Sequence, residues 1–524
     1  MKYLVIGVAY LIIFSSCTKS FESINQNPNQ ISDELLKQDF NLVGSPFSGM
    51  IFNLNGHQIE EDLCYDNWMG FMGTPTDFVG NVNNTTYYIR WNSYWGRIYG
   101  SIMSPAKQVT QLAEDNNLPL FATWAKLIRI IGISKLTAIH GPVIYTNYGS
   151  TEASILYDKE SDLYPLFFKQ LDTIQADFAA NRDYPGFKKF DPTLYAGSLS
   201  KWMKVVNSLR LRLAIRISKV SPDMAKTEGE KALSDPAGLI ESNGDNFTNS
   251  LLGNIMPVAQ ICYQWDDTRM GGVMESFMVG LGDGRISKYY APVTDLSLVA
   301  DHPLVPYKGV RNGAYINAKA DHVPFSKVSD DFNKVQTRRD ITAAEVLFLK
   351  AEAGLRGWSG AGDPKENYEN GIKQSFADWG ASGVDAYLAN STGKPINYVD
   401  PIDSRNSFTA VSTITVAWNN ADNNELKLEK ILTQKYLAAF TQTLEAWVDF
   451  RRTGYPKIPH VAKNDSNDDW GIIPANQWIK RMPFVNGERT GNAAAVADAV
   501  TKMGPGAKDD IATRLWWDTG GPNF

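Results

Sequence analysis

The densest run of side chains suited to binding chemistry lies between Tyr65 and Tyr99. Ten rings fall there (Tyr65, Trp68, Phe71, Phe78, Tyr87, Tyr88, Trp91, Tyr94, Trp95 and Tyr99), interleaved with Asp66, Asn67, Asp77, Asn81, Asn83, Asn84, Arg90 and Asn92. A sugar ring has an apolar C–H face and a rim of hydroxyls, so it wants a flat aromatic beneath and Asn, Asp or Arg at the edge. On that chemistry Trp68, Tyr88 and Trp91 are the expected platforms, with Asp66 and Asn92 as edge partners. The loop Tyr263–Arg269 offers the same combination, with Trp265 as platform and Arg269 at its edge. The competing expectation is that about half of the rings are core, since Trp91, Tyr94, Trp95 and Tyr99 partly share a helical face.

Other constellations carry weaker chemistry. Glu345 and Glu352 stand seven apart, which places them on one helix face about 10 Å apart along the axis. That slightly exceeds the roughly 6.5–9.5 Å of an inverting glycosidase pair. Both lie among apolar residues, and Arg210, Arg212, Arg216, Arg451 and Arg452 are available to them, so internal ion pairing is the better reading. Gly280-Leu281-Gly282-Asp283-Gly284 lacks the following Lys and the preceding strand of a phosphate loop and reads as a turn into Arg285. Asp465–Asp469 copies the start of a calcium loop, but Trp470 replaces its glycine and Asn476 its terminal glutamate, so a solvated acidic loop is expected. No metal or organic cofactor is implied: the five histidines include no HExxH and the three cysteines no CxxC. Cys64 and Cys262 leave pairing open, because their spacing alone sets no geometry.

The elements that must position these residues are mostly helical. With 43% hydrophobic and 21% charged residues, the chain of 524 is globular rather than disordered, and its net charge of −6 argues against nucleic acid as a partner. Trp202, Val206, Leu209, Leu213 and Ile217 follow a 3.6-residue period. Thr342 with Glu345 predicts a capped helix start, and Pro364 opens the next helix through Tyr368, Ile372 and Phe376. One helix is expected over Asn424–Phe450, ending at Gly454 and Pro456, and others within 33–43, 92–113, 119–138, 161–180 and 493–503. The Gly-, Pro-, Asn- and Asp-rich stretch from Asp235 to Arg339 is expected to form loops and small strands, as are 390–423 and 456–488. The small residues Ala343, Ala344, Ala351, Ala353 and Gly354 suit close helix pairing, so the predicted class is mainly α, with tetratricopeptide-like helix pairs and long loop-rich insertions.

The first residues read as an address. Lys2 precedes an apolar run, Tyr3–Phe14, too short to span a hydrocarbon core of about 30 Å. Ser15 and Ser16 then lead into Cys17, a lipobox-like ending that makes Cys17 the lipidated first residue of the mature protein. Residues 1–16 are thus the expected signal peptide, 17–30 a polar tether, and 31–524 a single helical domain with a loop-rich ligand-binding face. No other apolar run reaches 18 residues, so attachment to the membrane is expected through the lipid alone.

Several segments, in order, resemble the SusD/RagB family of outer-membrane nutrient-binding lipoproteins, and its SusD-like second subfamily in particular. They are Phe21–Gln30 (FESINQNPNQ), Asp191 through Trp202 into Asn207–Arg216, Ala343–Trp358 (AAEVLFLKAEAGLRGW), Tyr368 with Gly371-Ile372 and Ser375-Phe376, Leu444–Pro456 (LEAWVDFRRTGYP), and the terminal Arg514–Asp518. His140–Tyr145 departs from the family's Gly-Asp-x-Pro-Tyr turn. The resemblance implies a non-enzymatic, cell-surface lipoprotein that acts as the lid of a SusC-like TonB-dependent transporter. In the family's starch-binding members, comparable aromatics near the Tyr65–Tyr99 block join the ligand arc. The implied cargo is a glycan or, alternatively, an oligopeptide; a polysaccharide-degrading enzyme is the remaining class and lacks an acid/base pair.

Overall fold

The computed structural model describes residues 38–524; the expected signal peptide, Cys17 and the tether lie outside the described residues. The chain divides at Ser45 into a short N-terminal unit and a large one, Pro46–Phe524. In the described part of the first, Asn41–Gly44 makes one helical turn, closed by the Ser45 N–H donating to Asn41 O at 3.1 Å.

The large unit is built mainly from helices packed in sequence-neighbouring pairs. Its longer helices are α1 (Ser104–Asp115), α2 (Pro119–His140), α3 (Glu160–Ala180), α4 (Leu199–Arg216), α5 (Pro222–Ser234) and α6 (Gly272–Leu281). They continue with α7 (Ala343–Leu355), α8 (Pro364–Asp378), α9 (Asn424–Ala438), α10 (Thr443–Thr453) and α11 (Ala493–Lys502). Helix α1 packs on α2, α3 on α4, α4 on α5, and α7 on α8, while α4 also meets α7. The mainly helical expectation therefore holds, and several helix starts follow the local chemistry read from the sequence. Thr342 accepts the Glu345 N–H, and Asp363 accepts the Glu366 N–H ahead of Pro364.

From Val205 to Arg216 helix α4 is buried on all sides, so its charged residues there must be paired within the protein. Arg212 contacts Glu345 at 2.7 Å, and Arg216 contacts Glu445 at 2.8 Å. Arg452 reaches Glu352 at 2.6 Å and Asp449 at 2.9 Å. The expected internal pairing thus covers both candidate glutamates. Arg451 differs: it donates to the carbonyls of Trp447, Lys480 and Ala138 and lies 3.4 Å from the Trp447 ring centroid, without a carboxylate.

Two expectations about elements need correction. Asn424–Phe450 is not one helix: it breaks between Ala438 and Thr443, where Thr441 takes a positive φ of 71°. The break lets Phe440 stack on Tyr289 at 4.5 Å, so tertiary packing overrides the helical period. Conversely, α6 lies inside the stretch read as loops, with Gly282 (φ 66°) as its left-handed cap and Asp283 then pairing with buried Arg285 at 2.6 Å. Cys64 and Cys262 are buried and free.

Four short strands complete the described elements: β1 (Met72–Gly73), β2 (Phe247–Ser250), β3 (Arg269–Met270) and β4 (Thr337–Ile341). They form two antiparallel pairs, β1 with β3 and β2 with β4. The first pair sets Met72 opposite Met270 and Gly73 opposite Arg269, which joins the aromatic block to the Tyr263–Arg269 loop. Backbones approach closely here. A Cβ on Gly73 would stand 2.4 Å from Val310 O, and one on Gly271 would stand 2.0 Å from Gly70 O, so both positions require glycine.

Candidate functional site

The aromatic block folds around two asparagines. Asn83 accepts the Thr85 N–H, and Asn84 acts as a hub whose Oδ1 accepts the backbone N–H groups of Arg90 (2.8 Å) and Trp91 (3.1 Å). Its Nδ2 donates to Trp91 O at 2.7 Å, and its own carbonyl accepts the Trp68 indole N–H at 2.7 Å. Tyr87 takes a positive φ of 68° at the end of this turn and is buried, whereas Tyr88 beside it is half-buried. Two residues of the interleaved polar set thus build the loop. Trp91 is half-buried with its ring centroid 6.0 Å from Phe78, edge to face, and Arg90 stands over the Tyr88 ring.

The second segment is a wide helical turn, Gln260–Gln264, closed by Trp265 N–H donating to Gln260 O. Trp265 is 40% exposed, unusual for so large a ring, with His57 at 5.2 Å between centroids. His57 Nε2 is hydrogen-bonded to Gln260 Oε1 at 3.0 Å, which fixes the imidazole beside the indole. Next to it Asp267 gathers three chains: Thr76 Oγ1 (2.6 Å) and Lys319 Nζ (2.7 Å) donate to Oδ1, and Gln58 Nε2 (3.3 Å) donates to Oδ2. Lys319 also donates to Trp265 O at 2.9 Å.

Because Thr76 is tied to Asp267 and Phe78 meets Trp91, the Trp265 platform and the Phe78–Trp91 pair flank one loop, 74–81. In that loop Val79 (φ 54°) and Asn81 (φ 60°) both hold positive φ, and Val79 is 56% exposed. A β-branched residue in the left-handed region is an outlier of the kind that clusters at ligand clamps.

The expected site residues separate into three groups. Trp265, Tyr88 and Trp91 reach the surface in full or in part. Asp66 and Asn92 are half-buried and already engaged: Asp66 accepts from Thr443, and Asn92 Nδ2 donates to Pro483 O at 2.7 Å. Trp68 and Arg269 are corrections. Trp68 is 2% exposed and packs on Trp447 at 5.1 Å, so it is a core ring. Arg269 is fully buried and braces its own loop, donating to Asp266 (2.6 Å), Val323 O (2.9 Å) and Thr268 O (2.8 Å). His57, Gln58, Thr76 and Lys319 were not read as site residues, because nothing local marks them. Long-range side-chain contacts bring them to the Trp265 face: His57 to Gln260, and Gln58, Thr76 and Lys319 to Asp267.

The electrostatics divide the face from the interior. Burial works to raise the Asp266 carboxyl, but Arg269 and Lys327 outweigh it and hold the group below the usual carboxylate range. Behind the face, burial and then the Glu61 charge push Asp66 up to about 7, against the Thr443 hydrogen bond. The Glu275–Asp301–His302 group has metal-ligand spacing, but Lys308 Nζ lies 2.7 Å from Glu275 and neutralises it. Glu345 and Glu352 are both engaged by arginines, as above, and neither reaches the Trp265 face.

Exposed and half-buried rings fringed by fixed polar groups, carried on loops over a rigid helical scaffold, define a ligand-capturing protein. The chain matches the family model described as Susd and RagB outer membrane lipoprotein over residues 23–518, and it belongs to that family. Among solved structures it is similar to a chitin-binding SusD homolog from Flavobacterium johnsoniae, at 38% identity and a TM-score of 0.86, covering 92% of this chain and 100% of that one. It is also similar to a SusD homolog from Bacteroides vulgatus (31% identity, TM-score 0.85, 93% and 99% covered). A SusD-like protein from Bacteroides thetaiotaomicron aligns with 31% identity and a TM-score of 0.81 over 90% and 98% of the two chains. Among curated proteins none matches. The helical scaffold is the tetratricopeptide-like one of these relatives. No helix among the described residues is long and apolar enough to cross a membrane.

Proposed function

We propose that the chain is a lipid-anchored, cell-surface glycan-binding protein that holds oligosaccharide on the Trp265 face and acts as the lid of a SusC-like TonB-dependent transporter. The observation that carries the binding reading is the exposed Trp265 ring, set beside His57 and fringed by Asp267, Gln58, Thr76 and Lys319. An indole stacks on the C–H face of a sugar, while the carboxylate and ammonium offer an acceptor and donors to its rim. The Phe78–Trp91 pair across the 74–81 loop extends the contact to a second sugar unit. The chitin-binding relative makes N-acetylglucosamine oligomers the first glycan to test.

The chain acts without catalysis in this reading, which the arginine-locked Glu345 and Glu352 support. An oligopeptide cargo would want an unpaired strand edge near Trp265, but β3 pairs with β1 on one side, and on the other Met270 donates to Ser326 O and accepts the Val310 N–H. Calorimetric titration of the full chain should show saturable binding of chitohexaose in preference to maltohexaose. Extraction from the native membrane should bring a large β-barrel with it. Reproducible extraction of the chain free of any barrel contradicts the lid role, and no binding of either oligosaccharide contradicts the glycan role.

A further inference from the structure

A cavity of about 400 Å³ opens beside the C-terminal end of α10, walled by the 457–460 and 477–480 segments and the Gly520–Gly521 turn. It shares no residue with the Trp265 face. Its walls carry Lys219, Arg451, Arg452, Lys457, Lys480 and Arg514, and no carboxylate. Three of these cations are neutralised from behind: Arg452 by Glu352 and Asp449, Lys457 by Glu429 at 2.8 Å, and Arg514 by Asp518 at 2.5 Å.

Among the described residues the other three have no carboxylate within ion-pair distance. Arg451 donates only to carbonyls, and Lys219 donates to the carbonyls of Arg452 and Gly521 and to Asn523 Oδ1. Lys480 is only 8% exposed, and among the described residues its ammonium has neither a hydrogen-bond nor an ion-pair partner. Burial, and then the Arg514 and Arg451 charges, lower its pKa to about 8 against the pull of Asp518. The Lys480 ammonium keeps contact with solvent at the cavity and has no counter-charge from the protein, so an anion entering the cavity would supply one. The same wall holds Trp478, stacked on His460 at 3.8 Å between centroids. Positive charge without a carboxylate partner therefore faces a space of ligand size.

We propose that this cavity is a second ligand site, for a monosaccharide-sized molecule bearing one compact anionic group, a carboxylate or a sulfate. The anionic group lies against Lys480, with Arg514 and Lys219 at its margin, and the ring occupies the side walled by Trp478 and Phe450. The site does not depend on what the Trp265 face binds.

The test is calorimetric titration of the full chain in detergent with D-glucuronate and with N-acetylglucosamine 6-sulfate. Glucose serves as the neutral control and inorganic sulfate as the bare anion. At least one acidic sugar should bind saturably, which of them deciding between carboxylate and sulfate, while glucose gives no saturable heat. Lys480→Met should lower the affinity tenfold or more without lowering the melting temperature, since it removes a charge that no group of the protein pairs. Lys480→Gln serves the same comparison should the Met variant fail to fold. The proposal is overturned if neither acidic sugar binds, if the Lys480 variant binds as tightly as the parent, or if inorganic sulfate binds as tightly as the sugars.

Discussion

Glu352→Gln separates a structural glutamate from a catalytic one by its energy and its pH dependence. The Glu352 side chain is 1% exposed, with Arg452 at 2.6 Å and Arg356 at 2.7 Å. Burial would raise its carboxyl, yet Arg452 and Arg356 overcome that and hold it at about 2, below the ordinary 4.5. At about 1.4 kcal/mol per pKa unit, the depression corresponds to about 3 kcal/mol of stability at neutral pH. Breaking a buried ion pair by removing one partner costs about 3–5 kcal/mol, so the two routes agree. The folded pKa lies below the unfolded one. The contribution is therefore complete above about pH 5 and is lost as the pH falls toward 2. Urea unfolding of the variant should show a loss of about 3 kcal/mol at pH 7, shrinking to about 1 kcal/mol at pH 3. Ligand affinity should stay at the parent value. A loss under about 1 kcal/mol at pH 7, or one that does not shrink on acidification, refutes the ion-pair account.

Trp68→Ala should cost about 3–5 kcal/mol of stability, since it empties a core site and leaves the Asn84 carbonyl with only the Tyr87 N–H; denaturant melts check this. Asp66→Asn should act in the opposite sense. The folded carboxyl titrates at about 7 rather than the ordinary 3.8, so the parent loses stability as pH rises between these values. The variant should then melt higher than the parent at pH 8 and equally at pH 4. Cys17→Ala, tested without its transporter partner, should abolish fractionation with the outer membrane; unchanged fractionation contradicts the lipid anchor.

The scaffold was legible because its signals are local. Thr342, Pro364 and the apolar period through Trp202 and Leu213 act within a turn or two, and the helices they predict are present. Helix α6 was hidden because Gly271 and Gly272 read as a loop, whereas their lack of side chains serves the close approach of other backbone and of Tyr398. The break at Thr441 was hidden because the apolar period runs on through it, and rings far away in sequence, Tyr289, Tyr290, Phe332 and Trp379, determine where Phe440 packs. For the site, residue type identified the segments but not the direction each side chain faces. Trp68 and Trp265 are equally plausible platforms as letters; the Asn84 carbonyl draws one inward, and the wide turn at Gln260 leaves the other outside. Thr76 and Asp267 lie 191 residues apart, so no window of sequence contains their contact.

The central claim is that glycan is held on the Trp265 ring, and titration of Trp265→Ala beside the parent chain tests it most directly. The ring is 40% exposed, so its removal should leave the melting temperature nearly unchanged. Lost stacking should weaken chitohexaose by about 1–3 kcal/mol, or roughly 5- to 150-fold in Kd. Parent-like affinity in the variant contradicts the claim, and so does a weakened affinity accompanied by a large drop in melting temperature.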